Sequence, residues 1–457
     1  MTTKYIKGLS IFVWITFLML SCDNKLDIQP RQEIDAATAL NNAQNVESTV
    51  IGAYATLGNP ALYGTNLNLI PELLASTDYI NWQGTFQGYR ELDRKTLTSI
   101  NTEASRTWIR SYDAINTVNN VLEALSVVTD ADAKAQLEGE ALFIRGIVYF
   151  ELVRLFALPW ESGAANTQDG VPLVLTATKT EAQASNKVSR ATVAQVYQQV
   201  MSDLTRAESL LPEENGTRAN KFAAAAFLGR VYLQQSDFTN AREAANRVIE
   251  SDYFRLNPSV TSAFRNRNTA ESIFEIQQND QNNAGTANDG LATFYASLPG
   301  IGRGDVRVLE AFAEMYSETD ARLNELIYEG TGRRAGRLRS GKWTDFGANI
   351  PIIRLAEMYL IRAETNLRLG TAEGATPLED VNRIRLRAGA APLAVVTLED
   401  ILMERQLELA FEGLRVHDIK RTKGTTDTYT YNAPDLVLPI PQRELDTNNL
   451  LVQNVGY

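Results

Sequence analysis

Apolar residues that recur every three or four positions constrain this chain more than any other feature. Val193, Val196, Val200, Leu204, Ala207 and Leu211 form one such run, and Pro212 closes it. That period lines up the apolar side chains along one stripe of a helix, a stripe that must be buried against another element. The stretch from Leu137 to Leu158 reads as a second long helix, stopped by Pro159. Thr397 with Asp400 makes a capping-box start for a helix over Leu398–Glu412, and Gly413 stands where that helix would stop. A mostly α chain is expected.

The helices are expected in pairs. In the segment 221–249, Leu228, Gly229, Tyr232, Phe238 and Ala241 fall at the spacing of a tetratricopeptide repeat, in which small residues let two helices approach while aromatics fill the gaps. Ala363, Gly370 and Ala375 repeat the spacing of Gly229, Ser236 and Ala241. Thr376 and Pro377 there read as a helix start, which predicts a longer turn in the second hairpin. Two further helical pairs are expected, at 104–157 and around 190–211. The fold class that follows is a tetratricopeptide-like stack of hairpins used as scaffold. Segments 58–102 and 257–350 break the pattern, being rich in Gly, Asn, Thr and aromatics, with a short strand expected at Ser272–Gln277. Long irregular segments on a rigid scaffold are where binding residues usually sit.

The first residues predict a compartment. Lys4 and Lys7 precede an uncharged run from Gly8 to Ser21, too short to span a bilayer, and the only cysteine, Cys22, follows at once. Residues 1–21 read as a lipoprotein signal peptide. Cys22 is the expected lipid attachment point and 22–35 a polar tether. A lipid on Cys22 also removes an unpaired thiol from an oxidising compartment.

Charge and motifs exclude several classes. A formal net charge of −11 argues against nucleic acid, whose backbone demands a concentrated basic face. The single histidine, His417, has no nucleophile motif near it, and no GxSxG, HExxH or CxxC occurs, so no catalytic residue and no cofactor are expected. His417 reads as a partly buried structural residue. GRLRSGKW at 336–343 mimics a phosphate loop but ends in Trp343 where a hydroxyl would hold magnesium. GIGRG at 300–304 has neither the preceding strand nor the helix such a loop needs. The basic cluster Arg333, Arg334, Arg337, Arg339 and Lys342 reads as a solvated loop or partner contact before a site for an acidic sugar.

Aromatics in the irregular segments carry the positive case. Sugars present flat C–H faces rimmed by hydroxyls, and their capture needs ring platforms beside amide or carboxylate hydrogen-bonders. The segment 78–89 supplies Trp82, Phe86 and Tyr89 with Asn81, Gln83 and Gln87 interleaved. Phe294 and Tyr295, near Asn288 and Asp289, form a second candidate patch. Trp343 reads as core packing in a strand before the next helix, and Trp108 and Tyr112 as scaffold.

Five ordered blocks then carry a resemblance over nearly the whole chain after Cys22. ALFIRGIVYFELVRLFALPW at 141–160, with VPL at 171–173, resembles the long N-terminal helix of the SusD/RagB nutrient-uptake lipoproteins. IIRLAEMYLIRAE at 352–364 and VNRIRLRAG at 381–389 resemble that family's C-terminal hairpin. ILMERQLELAFEGLRVHDIKR at 401–421 is similar to its most recognisable block. LPIPQREL at 438–445 and the terminal Asn454–Tyr457 close the match. The resemblance implies an N-terminal helical region at 36–256 and a C-terminal region with variable loops at 257–457. It implies a lipid-anchored protein on the outer face of the outer membrane that captures an oligosaccharide and passes it to a SusC-like TonB-dependent transporter. It also puts a substrate-side loop at 78–89. Peptide capture, as in RagB-type members, and a gating lid that binds nothing remain open beside it, as do the identity of the sugar and any bound metal such as calcium.

Overall fold

The computed structural model describes residues 40–285 and 288–457; the expected signal peptide, Cys22 and the tether lie outside them. Helices begin where the capping chemistry sits. Thr192, Thr376 and Thr397 each form a capping box with the residue three positions on (Gln195, Glu379 and Asp400), so that side chains satisfy N–H groups the helix leaves open. The elements used below, in chain order, are α1 (Ala43–Leu57), α2 (Asn66–Leu74), β1 (Ile80–Trp82), α3 (Gln87–Arg94), α4 (Thr102–Ala124), α5 (Ala131–Phe156), α6 (Val193–Leu210), α7 (Lys221–Gln235), α8 (Phe238–Ile249), β2 (Ser272–Ile276), α9 (Leu291–Tyr295), β3 (Val306–Val308), β4 (Ile327–Glu329), β5 (Leu338–Ser340), β6 (Ile350–Arg354), α10 (Leu355–Leu369), α11 (Pro377–Arg387), α12 (Leu398–Glu408) and α13 (Arg415–Arg421).

The long helices stack in sequence. α4 packs on α5, α5 on α6, α6 on α7 and α7 on α8; α8 then packs on α10, which pairs with α11. The first hairpin turns within Ser236 and Asp237, whereas the second runs from Gly370 to Thr376, as the early Thr-Pro signal predicts. Both first helices end on a left-handed residue, Ser236 at φ 60° and Gly370 at φ 66°. A tighter helix approach lies elsewhere than the repeat spacing suggests. A methyl on Gly229 would meet Ala244 at an ordinary 3.7 Å, but on Gly146 of α5 it would press on the Leu204 side chain at 3.0 Å. Mostly α architecture with a few short strands is the outcome. From Asn42 on, the expected regions 36–256 and 257–457 lie within one compact unit. No helix among the described residues is long and apolar enough to cross a membrane.

Two local expectations are corrected. α12 ends at Glu408, not Glu412, because Phe411 (φ 67°) and Gly413 (φ 79°) turn left-handed. The Glu72 carboxylate, wholly buried, accepts the N–H groups of Gly413 (2.7 Å) and Leu414 (2.9 Å), and that tertiary partner replaces the helical ladder. Trp343 is buried as expected, but in the irregular link between β5 and β6 and not in a strand; its Nε1 donates to the Phe411 carbonyl at 3.0 Å. The strand expected near 272–277 is present and pairs antiparallel with β6, with irregular register.

Candidate functional site

The irregular segment 78–89 is held to the scaffold by a two-stranded ladder. β1 pairs antiparallel with β3, Ile80 opposite Val308 and Trp82 opposite Val306. Alternation sends Ile80, Trp82, Val306 and Val308 inward and leaves the facing pair Asn81 and Arg307 at the half-buried edge. Gln83 N–H donates to the Asp305 carbonyl at 2.6 Å, so pairing extends one residue past the strand before the chain turns through Gly84, Thr85 and Phe86 into α3.

The fold unites the two aromatic patches that lie far apart in sequence. Trp82, Tyr89 and Phe294 form a triangle with ring centroids 4.8–5.2 Å apart, and Phe86 joins at 5.9 Å from Phe294 and 6.4 Å from Tyr89. The structure departs from the expected open platform at Trp82. That residue is 7% exposed and Tyr89 and Phe294 less, because each ring uses its faces and edges on the others; Phe86 alone reaches solvent, at 38%. Trp82 Nε1 and the Asn81 Oδ1 find no hydrogen-bond partner among the described residues. Tyr89 donates its hydroxyl to Asn66 Oδ1 at 2.7 Å, and burial pushes its pKa well up. Tyr295 faces another cluster, 5.8 Å from the Phe411 ring on which Tyr79 also stacks; it is fully buried.

An arginine corner borders Phe86. The Arg303 guanidinium lies over the Phe86 ring at 4.8 Å and is paired with Asp305 at 2.9 Å. Arg334, from the β4–β5 turn, reaches the same carboxylate at 3.4 Å. Burial raises the Asp305 pKa, opposed by those two cations. Behind them Arg339 is wholly buried and donates to the Val306 carbonyl at 2.6 Å, with weaker contacts to Gln83 Oε1 and the Arg334 carbonyl at 3.4 Å. Its pKa falls to about 10, first through burial and then through the neighbouring Arg334 charge. The GIGRG glycines serve this packing: Gly304, at φ 63°, lets the backbone pass the Arg339 guanidinium, which an added Cβ would approach to 3.1 Å.

The remaining expectations separate from this corner. Lys342, grouped with the basic cluster by sequence, is buried and tied to Glu412 at 2.6 Å, so it belongs to the core. His417 is more deeply buried than expected; burial, then Arg154, Lys420 and Arg230, hold it neutral, with a pKa well below the ordinary value. A separate hollow of about 350 Å³ is lined by Trp108, Tyr112, Asn116, Arg443 and Glu444. Sequence reasoning assigned Trp108 and Tyr112 to scaffold and did not foresee this hollow, since its far wall comes from the short helix Gln442–Thr447 near the chain end. It also missed Arg303 and Asp305 beside Phe86; their only signal was the polar interruption of GIGRG, read as a false phosphate loop. No cluster of metal-ligating side chains occurs among the described residues.

Comparison with known proteins decides the kinship. A family described as "Starch-binding associating with outer membrane" matches residues 20–233, and the SusD family matches residues 337–457. The chain belongs to the SusD/RagB family. SusD/RagB proteins are non-catalytic binding proteins of outer-membrane nutrient uptake, so this chain is not an enzyme. It is 26% identical to SusD-like protein P2 of Formosa agariphila, over 98% of this chain and 99% of the relative. It is 25% identical to the starch-binding protein SusD of Bacteroides thetaiotaomicron, over the full length of both. Among solved structures, a putative sugar-binding protein of Bacteroides vulgatus superposes with a TM-score of 0.81 at 26% identity, covering 92% of this chain and all of the other. The two matched segments hold the long helices α4 to α6, the hairpin of α10 and α11 and the 78–89 loop, whereas α8, β3 and α9 lie between them.

Proposed function

We propose that this SusD/RagB protein captures an extracellular oligosaccharide and hands it to a SusC-like TonB-dependent transporter, held at the outer membrane by lipid on Cys22. The Phe86 corner is the capture site. Phe86 offers an apolar ring for a sugar face, with Trp82, Tyr89 and Phe294 as the rigid backing that fixes its position. The Asn81 Oδ1 and Trp82 Nε1 atoms, although without protein partners among the described residues, are buried and stay behind the ring with that backing. Tyr295, buried under Phe411, contributes to the core beneath the site and not to contact.

The observation that carries this reading is the combination of family kinship with one exposed aromatic ring held on an otherwise buried aromatic cluster. A phenyl ring left 38% exposed at a loop tip contributes little to folding, whereas a backed ring loses little freedom on stacking. The test is calorimetry of the protein against a panel of polysaccharides, oligosaccharides and peptides, with Phe86→Ala beside the parent. Binding of a glycan that Phe86→Ala weakens supports capture. Binding of peptides alone would move the chain to peptide uptake, and no binding at all would favour a gating lid.

A further inference from the structure

We propose that the Phe86 corner selects an acidic glycan, one whose rings carry carboxylate or sulfate groups; the assignment rests on the capture reading above. The segments 303–310 and 327–340 hold six arginines (Arg303, Arg307, Arg333, Arg334, Arg337 and Arg339) against three carboxylates, Asp305, Glu310 and Glu329, in a chain whose net charge is −11. A concentrated positive field on an acidic protein calls for a counter-charge.

Arg339 makes the imbalance specific. The three largest fully buried side chains are Arg322, Arg339 and Arg354. Arg322 meets Asp320, Glu404 and Glu408, and Arg354 meets Glu271, Glu408 and Glu412. Arg339 meets no carboxylate among the described residues, only neutral oxygens, and its Nε has no acceptor. A buried guanidinium without a counter-ion is costly, and neutral oxygens offset only part of that cost. Two of the three nearby acids are already engaged. Asp305 is shared by Arg303 and Arg334, and Glu310 holds Arg307 at 2.7 Å.

The geometry suits an incoming anion. Arg303 and Arg334 converge on one carboxylate, at 2.9 and 3.4 Å, and Arg334, about a third exposed, still faces solvent beside it. Arg333 and Arg337 are exposed at the rim. Guanidinium forks fit carboxylate and sulfate oxygens in pairs, and the field of Arg339 behind them strengthens that contact without touching the ligand. Phe86 beside Arg303 supplies the apolar ring that a sugar face needs and a simple inorganic anion does not.

The test titrates the full chain in detergent with two matched pairs of glycans: oligogalacturonate against its methyl ester, and dextran sulfate against dextran. The carboxylate and sulfate arms identify which acid is read. The expected result is at least tenfold tighter binding of the charged member of one pair, weakening with added salt. The R303Q/R334Q double variant should lose at least tenfold of that binding. R334Q alone, at a one-third exposed position, should lose part of it and guards against a folding defect. R206Q, which removes an exposed arginine on the α5–α6 face, should lose none. Equal binding of charged and neutral partners, or acidic binding that survives the double substitution, would overturn the acidic assignment while leaving glycan capture intact. Binding of none of the four, with a neutral glycan bound in the wider panel, would also overturn it. Failure of every glycan in that panel removes the capture reading itself.

Discussion

The guanidinium of Arg303 lies over the ring of Phe86, 4.8 Å from its centroid, and joins the one solvent-reaching aromatic of the Trp82 cluster to the arginine corner. Phe294 and Tyr89 back the ring as well, and the exposed remainder of Phe86 is left for a ligand. Stacking and charge recognition therefore sit side by side at one corner, brought together from the turn before α3 and the segment before β3.

Phe86 and Trp82 should separate binding from stability. Phe86→Ala removes a ring that is 38% exposed, so its folding cost should stay near 1 kcal/mol while glycan affinity falls several-fold. Trp82→Ala opens a cavity beneath the loop and should cost about 3–5 kcal/mol. Urea denaturation with calorimetry on both variants checks this, and equal stability losses would count against the division of roles.

Two buried arginines should respond unequally to removal. Arg354→Met leaves Glu271, Glu408 and Glu412 without a main counter-charge and is expected to cost about 3–5 kcal/mol. Arg339→Met strands no carboxylate. It gives up the bond to the Val306 carbonyl and should cost about 1–2 kcal/mol at most. Comparing denaturation midpoints of the two variants at constant m-value decides the matter.

Gly413→Ala should be severely destabilising. The residue sits at φ 79°, and an added Cβ would come within 2.6 Å of the Leu67 carbonyl oxygen. The left-handed backbone alone costs about 1–2 kcal/mol, and the backbone clash adds to it. The turn also delivers two N–H groups to Glu72, so a shifted backbone leaves a buried carboxylate under-bonded. A melting temperature within a few degrees of the parent would contradict this account.

His417 should give the fold a dependence on mild acid. Burial holds its folded pKa well below the ordinary value, so between that depressed pKa and the unfolded one the unfolded chain binds more protons. Stability from this group is complete above the unfolded pKa near 6.5 and is lost as pH falls, by up to about 1.4 kcal/mol per pH unit. Lys420 has the same sign over a higher window. Burial, then Arg154, lowers its pKa to about 7, so the cost of burying its charge is relieved as pH rises from there toward the ordinary lysine value. Melting curves from pH 8 to 5 should fall more steeply for the parent than for His417→Leu.

Local sequence determined the scaffold. The apolar stripe from Val193 to Ala207, the capping boxes at Thr192, Thr376 and Thr397 and the hairpin spacing around Gly229 depend on contacts three or four residues apart, so they are legible from a string of letters. The family blocks at 141–160 and 401–421 rest on the same scaffold. The tertiary structure alone decided which aromatic meets water. Trp82, Tyr89 and Phe294 are equally polar or apolar in a sequence whether they face solvent or one another, and only the closure of α9 onto the 78–89 loop buries them and leaves Phe86 exposed. It likewise decided that Lys342 pairs with Glu412 in the core while Arg339, three residues earlier, is buried without an acid. Charge compensation is settled by partners 70 residues away in the chain, and that distance is why it cannot be read along the sequence.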